Sequence, residues 1–379
     1  MNGPGDSMPR PAAVTVVQPA IPHYRVDFFA RLARHYGAAF RVCGSTLDVG
    51  ALTARATRWP WEQTLGPIRS LPGGLQWQDG VGQVPVARGD RLIVWGAPRA
   101  LSNLGLILKA RARGARVIWW GHFLSPTSRP WRLALRIVLM RGVHGLLFYT
   151  EQEVAAYRAT PAGARDPRPV GALNNGIDTV PIAARRAPYV AAERAPAAMF
   201  IGRLTEKSRL GLALEALARP EARGLTLHVI GDGEDAAALR DQAMQLGLAE
   251  RVVWHGASTD EDQIAAIANR VRFFLYPGDV GLSLIHGLAY GLPAVIHESA
   301  LDHMPEVAAF APGVNGAAFR RGDAADLGWV MSVLVNDTAT LDRLSHAAVE
   351  TVAQEFNTAR MAERLIAFLD RMDQHGGRP

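Results

Sequence analysis

Three segments of this chain put glycine, charged residues and a helix start where strand-like apolar runs end. The first is Gly202-Arg203-Leu204-Thr205-Glu206-Lys207, behind the run 198–201. An arginine forks onto a phosphate through two N–H groups and a lysine adds a compact point charge. Arg203 and Lys207, about one helical turn apart, therefore suit a pair of linked phosphates. Gly202, with no Cβ, lets a ligand approach the backbone. The second segment is Pro277-Gly278-Asp279-Val280-Gly281-Leu282-Ser283, which opens a helical run. Free amides at a helix start, at the positive end of the dipole, make Gly281, Leu282 and Ser283 an anion site that needs no side chains. The third, Gly231-Asp232-Gly233 behind 226–230, repeats the strand–glycine–helix pattern. Taken singly, each also fits a solvated turn.

The first half offers fewer such groups. His122 follows the run 117–120 in Trp119-Trp120-Gly121-His122, where an imidazole can exchange hydrogen bonds with a ligand or simply support the fold. His23, Tyr24 and Arg25 follow the run 14–17 and could bind an acceptor or a phosphate, or only shape their loop. That loop lacks Gly-x-Gly-x-x-Gly, which argues against a dinucleotide site. Residues 130–141 set Trp131, Leu135 and Val138 at helical spacing beside Arg129, Arg132 and Arg136. Such a helix either rests on anionic lipid or packs on a core with a basic edge. His255, His297 and His303 show no metal-ligand spacing and no Asp-x-Asp pair follows a strand, so no metal is expected.

These residues need elements to hold them. Strand-like runs at 14–17, 39–42, 92–95, 117–120 and 146–149 alternate with helical periods at 25–36, 101–113, 130–141 and 151–159. A second series has strands at 198–201, 226–230, 252–255, 273–276 and 294–297, with helices at 210–217, 235–246, 260–268 and 283–290. Alternation at this spacing predicts βαβ units and parallel sheets. The fold class is therefore α/β, with two Rossmann-like domains facing across a cleft. Residues 1–173 form the N-terminal domain, 174–196 read as a linker rich in proline, and 197–355 form the C-terminal domain. Residues 356–379 give a closing helix with the option of crossing back. Residues 45–88, full of Gly, Pro and Trp, read as an irregular insertion with short strands.

The second half resembles the nucleotide-sugar-binding domain of GT-B glycosyltransferases, specifically the large retaining family 4. The matching pieces, in order, are Gly202-Arg203-Leu204 with Lys207, Gly231-Asp232-Gly233, Trp254-His255-Gly256, Gly281-Leu282-Ser283, Ala289-Tyr290-Gly291-Leu292-Pro293 and Asn315-Gly316. The first half is similar to the family only in its strand–helix pattern and a few loop residues. The resemblance implies transfer of a sugar from a nucleotide-sugar, a co-substrate rather than a cofactor, to a saccharide or lipid-linked saccharide in cell-envelope polysaccharide synthesis. Retention of configuration and independence of metal come with it. It assigns Arg203, Lys207 and the amides of 281–283 to the departing diphosphate. Gly202, Gly231, Asp279 and His286 join the donor site, His122 faces the transferred sugar, and His23, Tyr24 and Arg25 lie on the acceptor side. Two departures stand out. Gly278 and His286 occupy the places of the family's two glutamates, and Lys207 lies four residues after Arg203 instead of five, with Ser208 in the usual place, so a small loop shift or a substitute such as Arg209 is required. A nucleotide-sugar epimerase or phosphorylase of the same fold, and a non-catalytic membrane-associated partner, are the alternatives.

Composition narrows the setting. At 379 residues the chain has room for two domains, and 49% hydrophobic with 20% charged residues excludes a mainly disordered chain. The sole cysteine, Cys43, excludes an internal disulfide framework and reads as a core residue in a reducing compartment. Residues 1–178 carry 22 basic against 10 acidic side chains, a net +12, whereas the remainder carries 19 against 25, a net −6. The basic half suits an anionic membrane surface or a phosphorylated acceptor, and nothing resembles a nucleic-acid-binding signature. With no apolar run of membrane-spanning length and no secretory signal, the expected location is cytoplasmic, with peripheral attachment to the inner face of the cytoplasmic membrane as an option.

Overall fold

The computed structural model describes residues 12–45, 59–123 and 130–375. The chain divides into two units, 1–173 with 362–379, and 174–361. In the first unit the strands are β1 (Val14–Ala20), β2 (Phe40–Ser45), β3 (Glu62–Leu65), β4 (Ile68–Leu71), β5 (Leu75–Gln78), β6 (Arg91–Trp95), β7 (Arg116–Trp120), β8 (Gly145–Phe148) and β9 (Val170–Ala172). Seven of them make a parallel sheet in the order β3-β2-β1-β6-β7-β8-β9, while β4 and β5 pair as an antiparallel hairpin. Helices cover both faces, which is why the strands read as unbroken apolar runs rather than alternating ones. All seven residues of β1 are buried, Gln18 among them. Cys43 is buried in β2, and burial pushes its thiol up to about 12.

The second unit has β10 (Ala195–Ile201), β11 (Thr226–Ile230), β12 (Val252–Gly256), β13 (Val271–Tyr276), β14 (Ala294–His297) and β15 (Gly316–Phe319). They form a parallel sheet in the order β12-β11-β10-β13-β14-β15. Each sheet thus reverses its strand order beside its first strand, between β1 and β6 and between β10 and β13. Ligands of open α/β sheets bind outside the carboxyl ends of the strands at such a reversal point.

Two boundaries differ from the sequence reading. The stretch 174–196 reads as a linker, but it is part of the second unit. Ile182 and Ala191 sit in that unit's core, and the Arg194 guanidinium donates to the carbonyls of Ala268 and Val271 at 2.7 and 3.1 Å. Its prolines and charges conceal two apolar anchors. The closing helix Thr358–His375 begins in the second unit and ends in the first. There Phe368 and Met372 lie against Gly145 and Gly171, and Asp373 pairs with Arg91 and Arg116 at 2.7 Å each.

Candidate active-site loops

At the reversal point of the second sheet, backbone holds backbone. The amide of Gly202 donates to Ile230 at 3.0 Å, Leu204 to Asp232 at 3.0 Å, and Gly231 to Gly256 at 2.8 Å, so the ladder runs on past the strand ends. A Cβ on Gly231 would stand 1.9 Å from the Gly202 carbonyl oxygen, and one on Gly233 2.3 Å from that of Leu204. These glycines are required by loop-on-loop packing, a different reason from the ligand approach that the sequence invites. Gly278 follows the same logic. Its Cβ would lie 2.0 Å from the Lys207 carbonyl oxygen, which accepts a hydrogen bond from the Asp279 amide at 3.0 Å. The close meeting of the loops after β10 and β13 leaves no room for a glutamate at 278.

What the backbone fixes, it leaves free at the side chains. Arg203 and Lys207 are exposed, while Leu204 and Ser208 between and beside them are buried anchors. Ser208 Oγ donates to the Thr205 carbonyl at 2.7 Å and receives the Thr205 amide at 3.3 Å. Ser208 is therefore occupied within its loop, and Lys207 and Arg209 on either side of it are exposed cations. Beneath them Tyr276 stacks on Phe200 with centroids 4.8 Å apart. Burial pushes its phenol up to about 12, Asp279 adds to the rise and Arg203 opposes it, so both charges lie near the same hydroxyl. Gly281 caps the helix Leu282–Ala289, whose first turn holds Leu282 and Ser283. The structure thus gathers Gly202, Arg203, Lys207, Gly231, Asp279, Gly281, Leu282 and Ser283 at one sheet end.

Asp279 is backed by a buried network that the sequence spacing does not announce. His297 Nε2 lies 3.6 Å and Arg321 Nη2 3.7 Å from Asp279 Oδ1. His303 stacks on His297 at 3.7 Å, receives the Val280 amide on Nδ1 at 3.1 Å and meets the His297 carbonyl through Nε2 at 2.9 Å. Burial, then the neighbouring His303 and Arg321, pull His297 down to about 4 against the partial offset of Asp279. At neutral pH it is uncharged, with Nδ1 accepting the Ser299 amide and the proton on Nε2 facing the carboxylate.

His286 sits one turn further along its helix, and a carboxylate that the linear sequence hides comes to meet it. Glu261 Oε1 lies 2.9 Å from His286 Nε2 and accepts the Tyr290 hydroxyl at 2.5 Å. Burial raises the Glu261 pKa, but those two hydrogen bonds, together with the electrostatic pull of His286 and Arg185, outweigh it and hold the carboxyl below its ordinary value. Where the sequence resemblance expects a second glutamate, the structure has a histidine that carries a glutamate behind it.

In the first unit, His23–Arg25 form a short 3-10 turn after β1. Arg25 is buried, its guanidinium 4.5 Å above the Trp120 ring, while His23 is exposed. His122 follows β7, faces the Tyr149 ring at 4.4 Å and brings Nδ1 to 3.5 Å from Glu153 Oε1. Glu153 accepts the amides of Phe123 at 2.9 Å and Tyr149 at 3.0 Å, fixing the loops after β7 and β8 together. The sequence signal for it is Thr150-x-x-Glu153, a capping-box spacing; the Thr150 hydroxyl accepts the Glu153 amide at 3.2 Å, but the carboxylate reaches beyond its own helix.

Residues 195–337 match the family model described as glycosyl transferases group 1. That match lies within the second unit and takes in less than half of the chain. The chain as a whole has the GT-B fold. It superposes on the Anabaena protein Alr3699/HepE, crystallised with UDP, with a TM-score of 0.66 and 16% identity over 95% of this chain and 100% of that one. Among curated proteins it is 26% identical over 188 residues to the lipopolysaccharide core biosynthesis glycosyltransferase LpsE of Rhizobium meliloti, covering 50% of this chain and 54% of the relative. To the lipopolysaccharide 1,6-galactosyltransferase of Salmonella typhimurium it is 26% identical over 130 residues, 33% of this chain and 35% of the relative. The chain thus spans about half the length, or less, of these two relatives. The group 1 match takes in the loops that carry Arg203, Lys207, Asp279 and Glu261, whereas His122 and Arg25 lie outside it.

Proposed function

We propose that this protein is a retaining glycosyltransferase that moves a sugar from a nucleoside-diphosphate sugar to a lipid-linked saccharide in cell-envelope polysaccharide synthesis, without metal or bound cofactor. The observation that carries this reading is the pair of exposed cations, Arg203 and Lys207, beside the amino end of a helix at the reversal point of the sheet that the group 1 match takes in. Expelling a nucleoside diphosphate requires stabilising charge on its oxygens, and preorganised donors aimed at developing charge give the largest single catalytic term. Arg203 supplies two N–H groups, Lys207 a point charge, and Leu282 and Ser283 their amides. Lys207 is one of two lysines among 41 basic residues. The other, Lys109, uses the compact ammonium to hold the carbonyls of Gly82 and Val84 at 2.6 and 2.9 Å. That usage supports a position where the broader guanidinium is not equivalent.

Asp279 and the Glu261-backed His286 are assigned to hydroxyls of the donor. Glu153, beside Nδ1, favours the His122 tautomer with its proton there, so Nε2 is the acceptor for a sugar hydroxyl. The saccharide class follows the lipopolysaccharide relatives, and UDP in the Anabaena protein makes uridine-diphosphate sugars the first donors to test.

Calorimetry with UDP, GDP, ADP and dTDP, followed by transfer assays with the matching sugar nucleotides, checks the reading. One nucleotide should bind, and Arg203→Ala should lower turnover at least about a hundredfold, roughly 3 kcal/mol of barrier, with unchanged unfolding. A variant that transfers normally removes the phosphate assignment. If no nucleoside diphosphate binds, the protein is a non-catalytic partner, and if the donor is isomerised without an acceptor, it is an epimerase.

A further inference from the structure

We propose that one face of the first unit, the helix Pro130–Met140 with the adjoining turn 160–168, docks on an anionic phospholipid surface and seats a lipid phosphate in the pocket between them. This deepens the reading of a lipid-linked acceptor, but it rests on its own observations. The helix is apolar on two sides. Leu133, Ile137, Leu139 and Met140 pack on the core of the first unit. Trp131, Leu135 and Val138 point away from it and are 59%, 45% and 57% exposed. At about 100° per residue these three fall within roughly 60° of one another. An ordinary surface helix has a single apolar stripe.

Arginines flank the exposed stripe on both sides. Arg132 lies with its guanidinium 5.2 Å from the Trp131 ring, and Arg141 follows the helix on the opposite edge. Beside Arg141 opens a pocket of about 590 Å³, lined by Ile137, Arg141, Thr160, Arg165, Asp166 and Arg168. Its floor is already neutral. Arg168 holds Asp166 through Nε at 2.8 Å and Nη2 at 2.6 Å, and its Nη1 ties the turn to the Val143 carbonyl at 2.8 Å. Arg158 is likewise taken up by the carbonyls of Gly163 and Asp166 at 3.0 and 2.6 Å. Arg141 and Arg165 remain, both exposed, their guanidiniums without a hydrogen bond or ion pair to a described residue.

Two unengaged guanidiniums at the mouth of a pocket suit a phosphate, which arginine grips with paired N–H groups. The apolar stripe beside them suits the acyl–headgroup boundary, where Trp and Leu enter and basic residues stay at phosphate level. A second copy of the chain is the poorer occupant. Self-pairing of this face would set Arg132 and Arg141 against like charges, in a half of the chain that already carries +12.

Flotation of the full chain with vesicles of phosphatidylglycerol and phosphatidylcholine, or of phosphatidylcholine alone, tests the proposal. The protein should float with the anionic vesicles, lose that binding at high salt and ignore the neutral ones. Replacing both Arg141→Gln and Arg165→Gln should lower partitioning roughly thirtyfold, a factor of about five for each basic side chain. Trp131→Ser should abolish it, with thermal unfolding and nucleotide binding of all variants unchanged. Equal flotation of the native chain and the double variant would overturn the proposal. So would stabilisation by inorganic phosphate, lost in the double variant, with no vesicle binding, which would mark a site for free phosphate. Self-association that Trp131→Ser removes, again without vesicle binding, would assign the face to a second copy. Because flotation is read without transfer, its failure stands apart from failure of the glycosyltransferase reading.

Discussion

The carboxyl ends of the two sheets start alike and finish differently. In each, glycines carry the hydrogen-bond ladder past the strand ends. A Cβ on Gly121 would stand 2.5 Å from the Gly96 carbonyl oxygen, much as one on Gly231 would stand 1.9 Å from that of Gly202. Beyond this the first unit ties its loops with side chains: Arg25 covers Trp120, His122 leans on Tyr149, and Glu153 receives two amides. The second unit joins its loops mainly through backbone, with Ser208 and His303 as the side-chain props, and keeps Arg203 and Lys207 at the surface. Side chains that hold a loop are no longer available to a ligand. The second arrangement therefore suits tight, charge-driven binding of a small group, and the first suits a shaped surface with fewer free charges.

The comparison can be broken most severely at Gly231. Gly231→Ala forces a methyl into a carbonyl oxygen with no flexible neighbour to yield, and should cost about 4 kcal/mol of stability or prevent folding. Urea unfolding measures it; a loss under about 1 kcal/mol would mean that the loops are not held by their backbones. His297 sharpens the same contrast through pH. Its folded pKa of about 4 lies below the ordinary 6.5, so the unfolded chain binds the extra proton first. Stability from this group is complete above pH 6.5 and declines as pH falls toward 4, by about 3 kcal/mol at most. His297→Gln should flatten that part of the acid slope in denaturation series at pH 7 and pH 4.5. A slope that persists unchanged would place the titration elsewhere. The smallest effect belongs to the first unit. Glu153→Gln turns an NH2 group toward one of two amide donors and should cost about 1.5 kcal/mol, with a rise in donor KM as His122 loses its orienting carboxylate. If the unfolding midpoint does not move, the loops after β7 and β8 have another anchor.

Much of this arrangement is legible in the sequence because buried parallel strands are written as plain apolar runs. The runs at 14–17, 92–95 and 273–276 lie within β1, β6 and β13. The short strands β9 and β15, Val-Gly-Ala and Gly-Ala-Ala-Phe, carry too few β-branched residues to be distinguished from loop. Glycines at strand ends mark the candidate site, since close packing of loops leaves few other choices. The carboxylates are harder to see. Glu153 acts on an amide 30 residues away and Glu261 on a histidine 25 residues away, and spacing of that kind follows from strand order rather than local pattern. The exposed stripe of Trp131, Leu135 and Val138 has the period of a core helix, and only the position of the sheet tells which side faces out.

The path of the chain through its two units also sets an order of assembly. Residues 174–361 are contiguous, so every partner in the second core has been synthesised before the ribosome reaches the segment that seats Phe368 on Gly145 and Gly171. The first unit, begun earlier, waits for Asp373 to reach Arg116 across 257 residues, so the half translated first is the half completed last. Until then its β8–β9 face lacks the cover that Phe368 gives it in the finished fold.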